Sequence, residues 1–322
     1  MANTTRTEIA AEVNNFYSRN LFMRAVPYFV HTKFAQVRDV PTNSGTDTIK
    51  FRLYGNLTAN TTALSEGVTP AGTQLSTTDT TATVLYYGDY VTLTDKLQTE
   101  TYDPILTETS DILGDQAGDS LDQLCRNVLV ATTNKQYAST ATDTDEVTAA
   151  MKLTRDEVKE AVRTLDGANA KRITRVVNPS TGYNTVPLNR AYVGIVHPST
   201  VYDLDNATGW VPVEKYANKS DLMENEVGSL AGVRFVQTTN AYVESDGGLG
   251  AIDVYHTLVI GQEAYGISRL SGKALQNIVK PLGSAGSADP LDQRSTSGWK
   301  ATFVAKILNQ NFLVDIEHAV SA

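Results

Sequence analysis

Apolar residues along the chain follow two repeats, one helical and one alternating, separated by polar stretches. The longest helical repeat spans Asp103–Asn134. Leu106, Leu113, Ala117, Leu121, Leu124, Val128 and Ala131 recur there at spacings of seven, four, four, three, four and three. Those spacings form one stripe on a helix of 3.6 residues per turn. Asp103 is a suitable N-cap and Pro104 stands at the first helical position, where its missing N–H costs nothing. Glu108, Asp111, Asp115, Asp119 and Asp122 keep the same period on the opposite side. At about 1.5 Å per residue such a helix is roughly 45 Å long. It suits a strut under a sheet, with a coiled-coil segment as the other reading.

Ahead of it, Ile9, Val13, Phe16, Tyr17 and Leu21 predict a helix over roughly 8–24, ended by Pro27. Tyr28–Val40 then carries Phe29, Val30, Phe34, Val37 and Val40 with little room for a core of its own, so these residues must cover another surface, on this chain or on a neighbour. Ile49, Phe51 and Leu53 alternate with Lys50, Arg52 and Tyr54 as a half-buried strand, and Thr83–Leu93 is a second strand rich in aromatic and β-branched residues. The polar, Thr-rich stretch between them is too long for a structureless loop. It reads as an extended hairpin turning near Gly67–Gly72. A lone two-stranded ribbon is marginal in water, so it must lie on another surface, most simply a neighbouring subunit.

Beyond the long helix, Ala138–Glu146 is a polar connector. Thr154-Arg155-Asp156-Glu157 is a capping box, followed by Val158, Ala161, Val162 and Leu165 at helical spacing and by Gly167 as a C-terminal stop. Strands are expected at 192–196, stopping at His197-Pro198, and at 232–237, 256–260 and 265–267, with a short helix over Val201–Asn206. These elements form a separate α/β region. A Gly/Ser-rich connection over 270–298 leads to two alternating stretches, Trp299–Ile307 and Phe312–His318, which offer the long helix a partner.

The 322 residues are 41% hydrophobic and 20% charged, with a net charge of −9. That balance supports folding but gives no cation cluster for dedicated nucleic-acid binding. Only the first 45 residues are basic, with five Lys/Arg against three acids. No apolar run is long enough to span a membrane, and no signal peptide is visible. The protein is therefore expected to stay in the cytoplasm where it is made. The single cysteine, Cys125, is expected to be a small buried apolar residue.

The search for chemistry returns no constellation. His31, His197, His256 and His318 lack metal-ligand spacing. Gly266–Ala274 has one residue too many for a phosphate-binding loop, and Ala274 stands where a hydroxyl is needed. Gly247-Gly248-Leu249-Gly250 lacks a dinucleotide fingerprint's third glycine, and Asp143–Glu146 lacks a calcium loop's glycine and closing glutamate. The Asp111, Asp115, Asp119 ladder is read as solvated. No catalytic, cofactor-binding or metal residue is assigned.

The order of parts carries more information. Arg19-Asn20-Leu21, Ser65-Glu66-Gly67-Val68, Gly232-Val233-Arg234-Phe235-Val236, Asp289-Pro290-Leu291 and Gly298-Trp299-Lys300-Ala301 stand in an order and spacing that resemble the major capsid proteins of tailed bacteriophages, the Hong Kong ninety-seven-like fold. The resemblance implies an α+β fold with five parts. These are an N-terminal arm (1–45), an extended hairpin loop (46–95), a peripheral domain with a spine helix (96–149), an α/β axial domain (150–269) and peripheral C-terminal strands (270–322). It implies a virion shell of hexamers and pentamers around double-stranded DNA, assembled in the host cytoplasm. The expected partners are further copies, portal and scaffolding or decoration proteins, and DNA held by weak non-specific contact; no membrane and no cofactor is expected. Phe22, Phe29, Phe34, Leu57, Leu64, Val68 and Leu75 are expected at contacts between subunits. Leu53–Asp95 contains no lysine, which argues against the covalent loop cross-link that some members make. The arm begins almost at residue 1, so any scaffold is expected to be cleaved off or to come from another protein. A tail, sheath or surface-layer protein, or a cytoplasmic enzyme with a site in 150–269, are the other readings.

Overall fold

The computed structural model describes residues 21, 23–25, 28–39, 47–55, 57–64, 66–67, 69–100, 105–178, 184–216, 222–268, 275–284 and 289–321. The first elements are β1 (Gln36–Arg38), β2 (Thr48–Tyr54), β3 (Thr77–Thr83), β4 (Leu85–Thr94), α1 (Asp95–Glu100) and α2 (Ile105–Val130). A middle group follows: β5 (Lys135–Tyr137), α3 (Arg155–Gly167), β6 (Ile173–Asn178), β7 (Asn184–Val196), α4 (Pro198–Asp205), β8 (Val211–Pro212), β9 (Glu226–Leu230) and β10 (Val233–Gln237). The chain ends with β11 (Val243–Gly248), β12 (Ile252–Ile260), β13 (Tyr265–Ser268), β14 (Leu275–Lys280), β15 (Arg294–Phe303), β16 (Ala305–Ile307) and β17 (Leu313–His318).

The largest sheet runs β5-β17-β12-β7-β10-β9-β8, with β11 on β12 and β6 on β7. Alternation along its strands separates two cores. Val193, Ile195, Leu258, Ile260 and Leu313 share a core with α2, whereas Tyr192, Val233, Phe235, Val259, Val314 and Ile316 pack with Val158, Ala161 and Leu165 of α3. α3 starts as expected. Thr154 accepts from Asp156 N–H, and the Glu157 carboxylate accepts from Thr154 N–H at 3.0 Å. Its stop differs: Asn169, at φ +56°, takes the left-handed conformation expected near Gly167. β7 and β10 are parallel, so the chain between them must cross over, and α4 lies on that crossover.

The expected domain boundaries do not follow this sheet. It draws β5 from 96–149 and β17 from 270–322 as well as strands from 150–269. β17, expected as a helix partner, pairs with β12 over Tyr255–Ile260 and turns Leu313 into the core that holds α2. β15 turns Trp299, Ala301 and Phe303 into the same core.

α2 is shorter than expected, and its buried stripe has a different phase. Leu113, Ala117 and Leu121 are buried as expected, but the stripe continues through Cys125 and Leu129, while Leu124 and Val128 are only half-buried and Ala131 is exposed. The side chain of Leu106, together with Asp103 and Pro104, lies outside the described residues. The helix is covered from two sides, by β15 and by the arm, so its buried surface is wider than one stripe. Gly114 and Gly118 give the arm its seat: a Cβ on Gly118 would stand 2.5 Å from the carbonyl oxygen of Ala25.

Asp122, expected on the acidic outer face, is fully buried. Its carboxylate accepts from Val30 N–H at 2.9 Å and His31 N–H at 2.8 Å, and lies 2.7 Å from His31 Nδ1. A carboxylate facing three donors needs no further partner, so Nδ1 carries the proton. The His31 carbonyl accepts from Tyr265 Oη and from Cys125 Sγ. Most of the helix expected over 8–24 lies outside the described residues.

Removing this carboxylate strands buried donors. Asp122→Ala is expected to cost about 3–5 kcal/mol, and Asp122→Asn less, because one acceptor oxygen remains. Urea unfolding of the purified subunit measures both; equal losses would show that the acceptor oxygen kept by asparagine contributes nothing.

Candidate assembly surface

The ribbon consists of β2 and β3, paired antiparallel with Ile49 opposite Ala82 and Phe51 opposite Thr80. The partner of β2 is therefore Thr77–Thr83, and the later aromatic strand, expected in this role, pairs with β15 instead. At the root, Ile49, Phe51, Ala82 and Val84 are buried with Val304 and Leu308 packed against them. Phe51 lies on Gly266, where an added Cβ would come within 2.4 Å of the ring. Further out, Asp79 faces Arg52 at 2.8 Å and Lys50 at 2.8 Å on the exposed face. The hydrogen bonds from Arg52 and then Lys50 hold its carboxyl well below the usual range.

Past Gly55, whose N–H donates to Ser76 O at 2.9 Å, no ladder joins the two sides. Residues 57–64 and 69–76 are exposed and belong to no helix, strand or turn, with a turn at Glu66–Gly67. Leu57, Leu64 and Leu75 are 53%, 74% and 62% exposed. Phe22 and Val68 lie outside the described residues. Phe29 and Phe34 require correction: both are buried in the chain's own core with α2, because the Asp122 contact pulls their segment inward. Neither is free to meet a neighbour.

A second exposed surface was missed in the sequence. β14-β15-β4 form a three-stranded sheet whose inner face packs on α2. Its outer face carries Tyr86 and Tyr90, 70% and 68% exposed, with Ile278 and Lys300. The Lys300 ammonium lies 4.7 Å from the centre of the Tyr86 ring. Together with Lys280 and Arg294 these residues line a groove of about 830 Å³. The inward alternation of Trp299, Ala301 and Phe303 was legible; that Tyr86 and Tyr90 would lie across from Thr302 and Gly298 depended on a pairing the sequence does not show.

The remaining polar candidates are satisfied locally or buried. Asp111, Asp115 and Asp119 are half-buried, and Asp111 lies 3.6 Å from Arg24. Asp143 caps the turn at Thr144, and Glu146 accepts from Thr142. Burial pushes the Cys125 thiol well above its ordinary value, so it is no nucleophile at neutral pH. His197 accepts from Ser199 N–H at the start of α4. Residues 269–274 of the loop-like glycine stretch lie outside the described residues.

One buried cluster has the ligand types of a metal centre: His256, Asp315 and Glu317, within 4.8 Å of one another. Its charges are already matched. His256 Nδ1 lies 2.8 Å from Asp315 Oδ2, and Lys135 Nζ lies 2.6 Å from Glu317 Oε1, so each carboxylate already faces a basic group. Burial alone would lower the His256 pKa, but Asp315 and then Glu317 more than offset it, and the value is raised. His318 is the opposite case. Burial lowers its pKa from 6.5 to about 4, and the neutral ring donates through Nδ1 to Ala319 O and meets Thr257 Oγ1 at Nε2.

The model of a family described as phage capsid protein matches residues 30–268. The fold is similar to the capsid of Ralstonia phage GP4, with a TM-score of 0.72, 14% identity and coverage of 90% of this chain and 88% of that one. It is similar to the head structure of Helicobacter pylori bacteriophage KHP40, at 0.65, 15% identity and coverage of 92% and 91%. Cyanophage Pam1 capsid asymmetric unit gives 0.64, 17% identity and coverage of 93% and 92%. No curated protein matches.

His318 makes stability depend on acid. Its folded pKa of about 4 lies below the unfolded value of 6.5, so its contribution is present above pH 6.5 and is lost as pH falls toward 4. The loss is on the order of 3 kcal/mol. His256, raised, acts with the opposite sign and above 6.5, where its contribution fades as pH rises. The stability difference between wild type and His318→Gln is therefore expected to shrink between pH 6.5 and pH 4 in urea titrations of the subunit; a constant difference would contradict the assignment.

Proposed function

This chain belongs to the phage capsid protein family and is a structural subunit of the virion shell rather than an enzyme, and from that premise we propose how its copies assemble. They close into an icosahedral shell of hexamers and pentamers around double-stranded DNA, with each ribbon laid over an adjacent subunit. The α/β region between 150 and 269 meets its copies at the centre of each ring. Assembly takes place in the host cytoplasm, with a portal complex and a scaffolding or decoration protein as further partners.

One observation carries this reading. Leu57, Leu64 and Leu75 stand exposed on a ribbon that, among the described residues, its own chain covers at the root. Each leucine moved from water into a contact contributes about 2 kcal/mol, and a closed symmetric assembly repeats that gain at every copy. Between Leu57 and Ser76 the only charged residue is Glu66, so little charge has to be desolvated at the contact. The net charge of −9 keeps DNA contact weak and non-specific, which suits a container.

Electron microscopy of the expressed protein, with its scaffold if one is required, tests the reading. Wild type is expected to give closed shells. Deletion of Asn56–Thr80, or joint replacement of the three leucines by serine, is expected to leave a folded subunit by circular dichroism and no shells. Intact shells from either variant would refute the role given to the ribbon.

A further inference from the structure

β4 is an edge strand: β15 lies on one side of it, and among the described residues no strand pairs with the other. Its open main-chain groups can be identified. Asp95 N–H donates to Gln293 O at 3.0 Å, which continues the β4–β15 register by one residue. Bonded and non-bonded pairs alternate along an antiparallel ladder. Odd-numbered residues of β4 therefore bond β15, and the N–H and C=O groups of Tyr86, Gly88, Tyr90 and Thr92 point to the open edge. Val84 N–H points the same way and meets Asp47 O at 2.9 Å. Tyr90 N–H is held by the neighbouring Asp89 carboxylate at 2.8 Å, which guards the middle of the edge.

Beside this edge runs a groove of about 380 Å³, lined on the α2 side by Gln116, Ser120, Gln123 and Asn127. Amide and hydroxyl side chains both donate and accept. Gln116 already bonds Asp89 and Trp299, and Gln123 bonds Asp119, so an extended main chain entering the groove would find β4 on one flank and Ser120 and Asn127 on the other.

We infer that this edge takes a strand from a second copy of the chain: the returning side of its ribbon, Thr69–Ser76, added antiparallel to β4. The inference rests on the reading that the ribbon lies over an adjacent subunit, and it names the surface that receives it. The segment is exposed and belongs to no helix, strand or turn, and it has no ladder of its own. It contains no acid, so it meets Asp89 without repulsion. Pairing of β4 with β4 of a second copy about its middle would instead bring two Asp89 carboxylates together. The antiparallel sense also places the ribbon tip beyond Thr94, the end of the sheet where Arg294 pairs with Thr94 and Lys280 lies opposite Thr296. Glu66 at the tip then lies at the end of the sheet that carries Arg294, itself 3.8 Å from Asp289.

Cross-linking in assembled shells tests the register. Gln74→Cys is combined with Tyr86→Cys, Tyr90→Cys or Thr92→Cys, shells are formed under reducing conditions, and the shells are then oxidised. A disulfide between subunits is expected in one of the three, and none is expected with Lys280→Cys on the far strand; Cys125 is buried and adds no background. Failure of all three, or a cross-link to position 280 instead, overturns the inference. Hydrogen exchange on the wild-type protein gives a second readout. Peptides covering Leu85–Thr94 are expected to exchange at least about tenfold slower in shells than in free subunits, and unchanged exchange overturns the inference. If ribbon-deleted subunits still close shells, the parent reading fails. If the ribbon is required but β4 gains no protection, only the receiving edge is wrong.

Discussion

A carboxylate taken out of water must find donors, and Asp122 finds three in the arm: two consecutive backbone N–H groups and the His31 ring. No apolar contact could fix 29–34 so sharply, because dispersion has no direction and hydrogen bonds do. With that segment held, Phe29 and Phe34 enter the core beside α2, and the His31 carbonyl is presented to Tyr265 and Cys125. Arm, long helix and the strand that starts at Tyr265 are thereby joined around one residue. Gly114 and Gly118 let the arm's backbone come close enough for this to happen.

The ribbon is built on the opposite principle. Its root is apolar and seated on Gly266, its middle is tied by Asp79 between Arg52 and Lys50, and its outer part is exposed among the described residues. A fixed root with an uncovered tip projects a defined surface away from the body. The family the chain belongs to gives that surface its use, since a shell subunit must carry contacts that a single copy leaves unfilled.

How much of this could be read from the sequence depended on whether the deciding partner was local. The strand at Ile49–Leu53, the capping box at Thr154 and the inward alternation of Trp299 and Ala301 all rest on neighbours a few residues away, and they stand as expected. The phase of the long helix is hidden in the sequence because Asp122 looks like its acidic neighbours until the arm, far away in sequence, supplies donors. Phe29 and Phe34 were placed at a subunit contact for the same reason. The partner of β2 was placed a few residues late, because Thr77–Thr83 is less apolar than the tyrosine-rich strand after it. Of the candidate surface, the exposed leucines were legible from their polar surroundings. The Tyr86–Tyr90 face and the open edge of β4 were not, since both exist only once β15 has paired there.

The separation of Asp122 from its partners bears on synthesis at the ribosome. The arm leaves the exit tunnel early, yet its donors at Val30 and His31 wait for a residue 92 and 91 positions later. The final tie, from Tyr265 to the His31 carbonyl, closes a loop of 234 positions. Contacts between such distant positions form slowly, because the intervening chain must first be brought together. A half-made subunit therefore cannot present a finished body beneath its ribbon. Chains truncated before Tyr265 would keep the Asp122 contacts and lack this last tie.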